Sequence, residues 1–390
     1  MSTLVETELE PVLKPIEQAN GLPNEHYISA EVYEEEKQAL LFNNWAGLDF
    51  GKNVPGAGDA KPVDFMGMPL LIVRDLDGSI GVFQNSCRHR GMILVDKPTK
   101  IRGVISCPYH SWCYSTKGEL RATPHVGGLR VNRHEAINNE ELGLCSVRSH
   151  VWKDIIFVNI SGDAPEFEDY ASTLIESWKD FDQPVYHGGK SSSFCLEVKT
   201  NWKLAVENYS ESYHLPWIHP ALNKYSKIDD HYNIIEDNVF CGQGTTVYQQ
   251  YQSETGAKFP DFENLADKWD ESAEYVTLFP NVMLGVHRDH FFAIILEPLG
   301  VDLTRERVEL YYAKDAESIP QHHDMTEANS ERWKIVFSED VSVVEGMQKS
   351  RHGKLFDGGR FSPVLDNATH AFHLWVARTL KKTRATKTEA

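Results

Sequence analysis

Cys87-Arg88-His89, followed 17 residues later by Cys107-Pro108-Tyr109-His110, decides what this chain can fold into. Each segment brings one cysteine and one histidine close together. The two ligands of such a pair in a zinc site are usually separated by about two to four residues. Cys-x-His, with one residue between its ligands, is therefore shorter than the usual zinc spacing. A [2Fe–2S] cluster in which two histidines hold one iron suits two such pairs. The pattern therefore predicts this cluster at Cys87, His89, Cys107 and His110, with a structural zinc site as the alternative.

The composition is that of a folded, acidic protein. The chain has 390 residues, of which 41% are hydrophobic and 11% aromatic, and its formal net charge is −18. This charge argues against nucleic acid or an anionic membrane as a partner. Met1–Pro11 lacks a signal-peptide pattern, and no run of about 18 apolar residues predicts a membrane span. Six cysteines do not suggest a disulfide scaffold, so we expect a reduced, cytoplasmic setting.

The chain is too long for one ordinary core, and its predicted secondary structure changes twice along the sequence. Residues 1–45 read as an irregular arm and an amphipathic helix that pack on the catalytic domain. Residues 46–162 read as short strands with tight turns, and Val151–Ile160 is strand-like. Residues 163–390 mix strands with helices, among them Lys199–Glu211, Met325–Lys349 and Asn367–Thr379. The predicted class is α+β, with a small all-β domain before a mixed one.

A second candidate metal site follows in Glu211-Ser212-Tyr213-His214-Leu215-Pro216-Trp217-Ile218-His219. Glu211 and His214 are three residues apart and would share a helix face. Pro216 should end or distort that helix, which lets His219 turn back toward His214. Two imidazoles and a carboxylate form the triad of non-haem Fe(II) oxygenases. Glu211 or Asn208 could orient the ligands, whereas the third ligand stays open among 57 carboxylates.

Together, the two sites resemble those of the α (oxygenase) subunits of the Rieske non-haem iron oxygenases. The resemblance covers nearly the whole chain. It is carried by the two cluster segments extended to Gly91 and Trp112, by Asn201-Trp202-Lys203, by Glu207-Asn208-Tyr209, and by Glu211 to His219. Glu339-Asp340-Val341-Ser342-Val343-Val344-Glu345 is similar to the segment that supplies the family's third iron ligand. The resemblance assigns that ligand to Asp340, with Glu345 as the second choice.

The resemblance implies an architecture and an electron path. It implies a Rieske [2Fe–2S] domain on a helix-grip (Bet v1/START-like) catalytic domain, assembled as a homotrimer. Each subunit would hold one cluster and one mononuclear Fe(II), and would use O2 with NAD(P)H electrons from a reductase, with or without a ferredoxin. Glu211 would bridge His214 to His110 of the partner subunit.

The substrate is the least constrained part of the prediction. Glutamate at position 211 is similar to the branch that acts on quaternary ammonium compounds such as carnitine, choline and betaines. Cation–π contacts would bind such a cation. Candidate pocket residues are Tyr209, Tyr213, Trp217, Phe279, His287 and Arg288, of which Arg288 could bind a carboxylate. An oxygenase for aromatic rings or aromatic carboxylates is the alternative, and a non-enzymatic binding or electron-transfer protein is a remote one.

Overall fold

The computed structural model describes residues 8–315 and 321–389. Two compact units divide the chain. One unit is Gly47–Ala164, and the other combines the described parts of Met1–Ala46 and Pro165–Ala390. Among the described residues, no helix has both the length and the apolar character needed to cross a bilayer.

The unit Gly47–Ala164 is built from short antiparallel strands. The order of the larger sheet is β1-β10-β9-β4-β3-β2-β5, and β6-β7-β8 form a second sheet. A 3-10 turn covers Gly51–Asn53. The strands are β1 (Ala46–Phe50), β2 (Asp59–Phe65), β3 (Met68–Arg74), β4 (Ile80–Gln84), β5 (Thr99–Lys100), β6 (Ile105–Ser106), β7 (Cys113–Tyr114), β8 (Leu120–Ala122), β9 (Ser146–Trp152) and β10 (Ile155–Asn159).

The strand expected over Val151–Ile160 is instead a hairpin. It contains the end of β9, a turn at Lys153 and Asp154, and β10. Both turn residues have positive φ, 49° and 63°, as a two-residue hairpin turn requires. The apolar run of β10 is buried throughout. The alternation signal was missing because both sides of this strand are covered.

The other unit is an antiparallel sheet with helices packed against it. Its strands are β11 (Tyr186–His187), β12 (Ser193–Val198), β13 (His231–Glu236), β14 (Phe240–Thr245), β15 (Ala273–Leu278), β16 (Val282–Val286), β17 (His290–Gly300) and β18 (Leu303–Tyr312). They run in the order β11-β18-β17-β16-β15-β14-β13, and β12 also pairs with β18.

Two long helices dominate the helical layer. The helices are α1 (Glu25–Ile28), α2 (Ala30–Glu36, continued by a π-helical turn at Lys37–Phe42), α3 (Phe167–Tyr170), α4 (Ser172–Ser177), α5 (Trp202–Tyr209), α6 (Leu215–Ile218), α7 (His322–Ser350) and α8 (Asn367–Glu389). Short 3-10 turns cover Lys179–Phe181, Lys190–Ser192, Leu222–Lys224, Ile228–Asp230 and Asp267–Asp270.

Aromatic contacts fasten α7 to the sheet. The ring centroids of Trp333 and Phe337 lie 4.7 and 5.3 Å from that of Phe292 on β17. A second contact joins α8 to the end of β15, since Trp375 stacks at 4.8 Å on Phe279, the residue after that strand. Such rings bury large apolar areas, so they set where α7 crosses the strands. The predicted α+β class, with one all-β unit, is confirmed.

A buried ion pair holds the N-terminal helices against α5. The side chains of Lys203 and Glu36 are fully buried and form an ion pair. Lys203 also donates to Asn201 Oδ1 at 2.9 Å, and His26 Nδ1 lies 2.8 Å from Glu36 Oε1. A buried charge is tolerated only when it is paired and hydrogen-bonded, and this network provides both. It fixes the start of the helix that leads to the candidate iron site.

We predict that Lys203→Met destabilises the protein by about 3–5 kcal/mol, because Glu36 is left buried without its cation. Urea unfolding followed by circular dichroism measures this. Lys199→Met, on an exposed side chain four residues earlier in the loop before α5, is the control and should change stability by less than about 0.5 kcal/mol. Equal stability of Lys203→Met and the native protein would contradict the role given to the pair.

Candidate active site

The two cysteine-histidine loops have the same backbone geometry despite their different spacing. In the first loop, the N–H of Cys87 donates to Met92 O and its carbonyl accepts from Gly91 N, both at 2.9 Å. In the second, the N–H of Cys107 donates to Trp112 O at 2.8 Å and its carbonyl accepts from Ser111 N at 3.0 Å. Gly91 and Ser111 both have positive φ, 73° and 56°. The repeated turn therefore presents two equivalent ligand tips.

At these tips the two thiols are buried and the two imidazoles are exposed. Cys87 and Cys107 are 3% and 2% exposed, whereas His89 and His110 lie at the surface. The two imidazole centroids are 4.7 Å apart, and Trp112 stacks on His89 at 4.9 Å. A [2Fe–2S] cluster with its thiolate-bound iron inside and its histidine-bound iron outside fits this set. A zinc site with the same four ligands would not require the thiols to be buried and the imidazoles to be exposed.

Hydrogen bonding supports the inner ligand. The Tyr114 hydroxyl is 3.2 Å from Cys87 Sγ and accepts a bond from Arg88 N at 3.0 Å. Because Tyr114 accepts from that N–H, its own proton is available to the sulfur. Burial raises the pKa of the Cys87 thiol. A buried thiolate at this position therefore needs both the hydrogen bond and a cationic partner such as iron.

The candidate iron histidines flank the short helix α6, His214 before it and His219 after it, and do not lie on one long helix. The helix begins at Trp202, where Asn201 caps it by accepting from Lys203 N, and ends at Tyr209. Glu211 then accepts bonds from the N–H groups of Tyr213 and His214. The predicted helix Lys199–Glu211 is therefore too long at both ends. The proline prediction was also wrong in detail, because Pro216 lies in the first turn of α6. A missing N–H costs nothing at that position.

Three side chains converge where α6 faces α7. His214, His219 and Asp340 each offer one ligand atom, and these atoms all lie within 4.8 Å of one another. Asp340 Oδ1 is 3.1 Å from His219 Nε2 and 3.7 Å from His214 Nε2. Glu345, the second choice for the third ligand, instead accepts a bond from Lys199 N at 3.1 Å. Asp340 is thus the carboxylate that the fold brings to the two imidazoles.

Two further carboxylates turn the imidazoles toward Asp340. His214 Nδ1 is 2.6 Å from Glu211 Oε1, and His219 Nδ1 is 2.7 Å from Glu339 Oε2. With Nδ1 engaged in this way, both Nε2 atoms are left to face the centre, which is the usual arrangement around a protein-bound metal. The sequence indicated Glu211 but not Glu339, which is adjacent to Asp340 and could have been found by asking what orients His219.

The donor set fits a mononuclear Fe(II) ion. Asp340 Oδ1 is buried and has no hydrogen-bond partner among the described residues. Burial lowers the pKa of His219, but Asp340 and Glu339 outweigh it and the net shift is upward, so the centre attracts positive charge. Burial, with Asp340 as a second cause, raises the pKa of nearby Glu306 to about 8. Two histidines and one carboxylate with space beside them suit Fe(II).

A cavity of about 700 Å³, including its mouth, opens beside the three ligands. This size suits a small organic molecule. Seven aromatic side chains line it, together with polar groups that include Asn208, Gln243, His231 and Arg332. The aromatic members are Tyr209, Tyr225, Tyr248, Tyr275, Phe292, Trp333 and Phe337.

Only part of the predicted pocket lines this cavity. Asn208 and Tyr209 do so. Tyr213 and Trp217 are 41% and 69% exposed, and Phe279 packs in the core against α8. The expectation for these three is corrected, because the segment after α5 points Tyr213 and Trp217 to solvent, while Phe279 points into the core.

The predicted basic residues of the pocket also lie elsewhere. Arg288 is held by Asp261 and Asp270 at 2.7 and 3.2 Å and does not line the cavity. His287 lies behind the wall, where its Nε2 is 3.2 Å from the Tyr275 hydroxyl. Burial lowers the pKa of His287 well below its usual range, so this imidazole is neutral. Both expectations are therefore corrected.

The aromatic wall is held from behind by polar groups. The Tyr248 hydroxyl donates to Asp289 Oδ1 at 3.0 Å, and Trp333 Nε1 donates to His290 Nε2 at 2.9 Å. His290 Nδ1 in turn lies 2.8 Å from Asp289 Oδ1, so the proton of this imidazole is on Nδ1. The polar ends of these rings are bonded away from the cavity, which leaves the ring surfaces to line it.

A site for a histidine-ligated [2Fe–2S] cluster and a separate site of two histidines and one carboxylate define an iron-dependent oxygenase. The comparisons with known proteins agree. Residues 175–382 match the ring hydroxylating alpha subunit (catalytic domain) family, and residues 44–133 match the Rieske [2Fe–2S] domain family. The chain belongs to the Rieske non-haem iron oxygenases, as the terminal oxygenase component. Members of this family carry a Rieske cluster and a mononuclear iron.

Its relatives act on different compounds. The chain is 24% identical over 343 residues to the carnitine monooxygenase oxygenase subunit of Acinetobacter pittii, covering 86% of each chain. It is 24% identical over 380 residues to the chloroplastic choline monooxygenase of Atriplex hortensis, covering 95% of this chain and 80% of the relative.

Solved structures share the fold. The quaternary ammonium Rieske monooxygenase CntA aligns with a TM-score of 0.74 at 22% identity, over 96% of this chain and 98% of the other. Naphthalene 1,2-dioxygenase from Rhodococcus aligns with a TM-score of 0.77 at 17% identity, over 97% and 99%. Fold likeness therefore does not discriminate between substrate classes.

We predict that Asp340→Ala releases the mononuclear iron and keeps the cluster, because it removes the one carboxylate among the three converging ligands. Iron content should fall by about one ion per subunit, while the visible absorption of the cluster is unchanged. Glu345→Ala is the matched control on the same helix and should retain all its iron. If Asp340→Ala keeps a full complement of iron, the ligand assignment is wrong.

Proposed function

We propose that this oxygenase oxidises a small quaternary ammonium compound, using O2 and electrons from an NAD(P)H-dependent reductase. The observation that carries the proposal is the aromatic cavity next to His214, His219 and Asp340. A quaternary ammonium has no N–H to donate, so aromatic ring surfaces recognise it better than carboxylates or carbonyls do. The carnitine and choline monooxygenase relatives support the same substrate class.

The chain's own residues have distinct roles in this proposal. Fe(II), held by His214, His219 and Asp340, would supply the dioxygen chemistry. Glu211 and Glu339 hold the imidazole Nδ1 atoms and keep the ligands in place. Tyr209 donates its hydroxyl proton to Leu284 O at 2.7 Å, which keeps its ring in the wall near the centre. The largely apolar lining limits water around the substrate.

We further propose that Glu211 carries electrons between subunits of a homotrimer. Its carboxylate is bonded to His214, and it is only partly buried, with 14% of its side chain exposed. One carboxylate oxygen could therefore accept a bond from His110 of the partner subunit. His110 is itself exposed at its loop tip, as such a contact requires. We also propose the domain limits 1–45, 46–162 and 163–390, assembly as a homotrimer and a cytoplasmic location.

An aromatic carboxylate is the second candidate substrate. The cavity carries one guanidinium, that of Arg332, among ring surfaces that would also accept an arene. One relative, the anthranilate 1,2-dioxygenase large subunit of Burkholderia cepacia, is 25% identical over 210 residues. The two candidate substrate classes predict oxidation of different compounds in a substrate panel.

The panel experiment uses a single turnover of the reduced holoenzyme with O2, so that no reductase need be identified. Choline, glycine betaine, carnitine and γ-butyrobetaine form one group; benzoate, anthranilate and naphthalene form the other. We expect oxidised product only in the first group. Product from the aromatic group alone would overturn the quaternary ammonium proposal and leave the oxygenase assignment intact.

A second prediction concerns Glu211. Glu211→Gln keeps the shape of the side chain and removes its charge, so both iron sites should be retained while oxidation of the cluster in a single turnover slows about 10- to 100-fold. Stopped-flow absorption at the cluster bands measures the rate.

Glu339→Gln is the matched control, because it alters the equivalent bond to His219 and lies off the proposed path. It should retain both iron sites, as Glu211→Gln does, and should slow cluster oxidation far less than Glu211→Gln. Equal slowing by the two variants would show that Glu211 acts only by orienting its histidine.

A further inference from the structure

We propose that Arg332 binds a carboxylate group of the substrate, so that the enzyme selects acids over the corresponding neutral compounds. This inference deepens the proposed function and rests on it in one respect, that the cavity beside the iron ligands is the substrate site. It identifies Arg332 as the group that binds the anionic end of the substrate, for which the aromatic wall offers no partner.

Arg332 lies on the cavity face of α7. Residues 332, 333, 336, 337 and 340 of this helix all line the cavity, a spacing that puts them on one helical face. Arg332 precedes Asp340 by eight residues. This corresponds to about 12 Å along the helix axis. The guanidinium and the iron ligand thus mark two ends of one wall, and a small substrate can lie between them.

The guanidinium has no carboxylate partner among the residues that the structure describes. It donates to the Tyr225 hydroxyl at 3.2 Å and to Gln249 O at 3.5 Å. Most other arginines of this unit pair with acids: Arg288 with Asp261, and Arg384 with Glu35, both at 2.8 Å or less. A guanidinium has five N–H donors in a planar fork, so several of those on Arg332 are left for a ligand.

The surroundings hold the guanidinium in place. Its central carbon is 5.9 Å from the ring centroids of both Tyr225 and Trp333. Trp333 is itself fixed by its bond to His290, and the Tyr225 hydroxyl accepts a bond from the guanidinium. A pre-positioned fork loses little entropy when it binds a carboxylate through two parallel hydrogen bonds.

The charges of the cavity lining place an anion at this end. Among the described residues that line the cavity, Arg332 is the one lysine or arginine. The one carboxylate, Asp340, belongs to the iron ligands at the other end. A partly buried cation in a mainly apolar cavity is stabilised by an anionic ligand. The substrate class that fits both ends is a zwitterion with a cationic group among the rings and a carboxylate at Arg332. A betaine fits this description, and an amino alcohol such as choline does not.

The test compares each acid with its own carboxamide. The anaerobic, reduced holoenzyme is titrated calorimetrically with γ-butyrobetaine, benzoate and the carboxamide of each. The native enzyme should bind at least one acid about 10-fold or more tightly than its carboxamide. Arg332→Gln should weaken that acid by about 10- to 100-fold and the carboxamide by less than about 3-fold, since charged hydrogen bonds carry the difference.

Two variants control the test. Arg332→Lys keeps the charge but not the fork, so it should retain part of the preference for the acid. Lys334→Gln removes an exposed charge from the same helix and should change neither affinity. Cluster absorption and iron content identical to the native enzyme establish that Arg332→Gln is folded and loaded.

The outcomes separate this inference from the proposed function. Binding of benzoate alone, lost in Arg332→Gln, would overturn the quaternary ammonium proposal and support the role of Arg332. Equal binding of acids and carboxamides by the native enzyme, an unchanged ratio in Arg332→Gln, or no binding of any acid would overturn the role of Arg332.

Discussion

The buried carboxylate oxygen of Asp340 is the point on which this structure depends. It faces two imidazole Nε2 atoms and has no hydrogen-bond partner among the described residues. An unpartnered buried carboxylate oxygen costs free energy, and so do imidazoles held at fixed positions around it. A divalent cation satisfies all three donors at once. Glu211 and Glu339 add to this arrangement, because each turns one imidazole toward the centre.

The fold supports this centre mainly through α7. That helix supplies Asp340 and Glu339, and its earlier turns supply Arg332 and Trp333 to the cavity. Its position is set by the packing of its aromatic residues on β17. Iron ligand, ligand-orienting group, aromatic wall and guanidinium therefore lie in a fixed order along one rigid element. A site built on a regular helix holds such an order better than one built on loops.

Local patterns predicted the parts of the sites that are close in sequence. The cluster pairs were predicted from their spacing, and the pair His214 and His219 from their spacing beside Pro216 together with the cluster motif upstream. Asp340 lies 121 residues beyond His219, and it was indicated only by resemblance. Glu339 and Arg332 were missed, because a charged residue in a helical pattern reads as solvent-facing until the packing partner of the helix is known. Trp217 and Arg288 were misplaced for the converse reason: their residue types suit a pocket, but tertiary structure turns them away.

The central claim is that one iron ion is held by His214, His219 and Asp340, separately from the cluster at Cys87, His89, Cys107 and His110. Anomalous X-ray diffraction from holoenzyme crystals, recorded on both sides of the iron edge, tests it most directly. The account predicts an iron peak between the Nε2 atoms of His214 and His219 and the carboxylate of Asp340, and a second iron feature at the two cysteine-histidine loops. Iron at the loops alone, or a peak at His214 and His219 without Asp340 as a ligand, would contradict it.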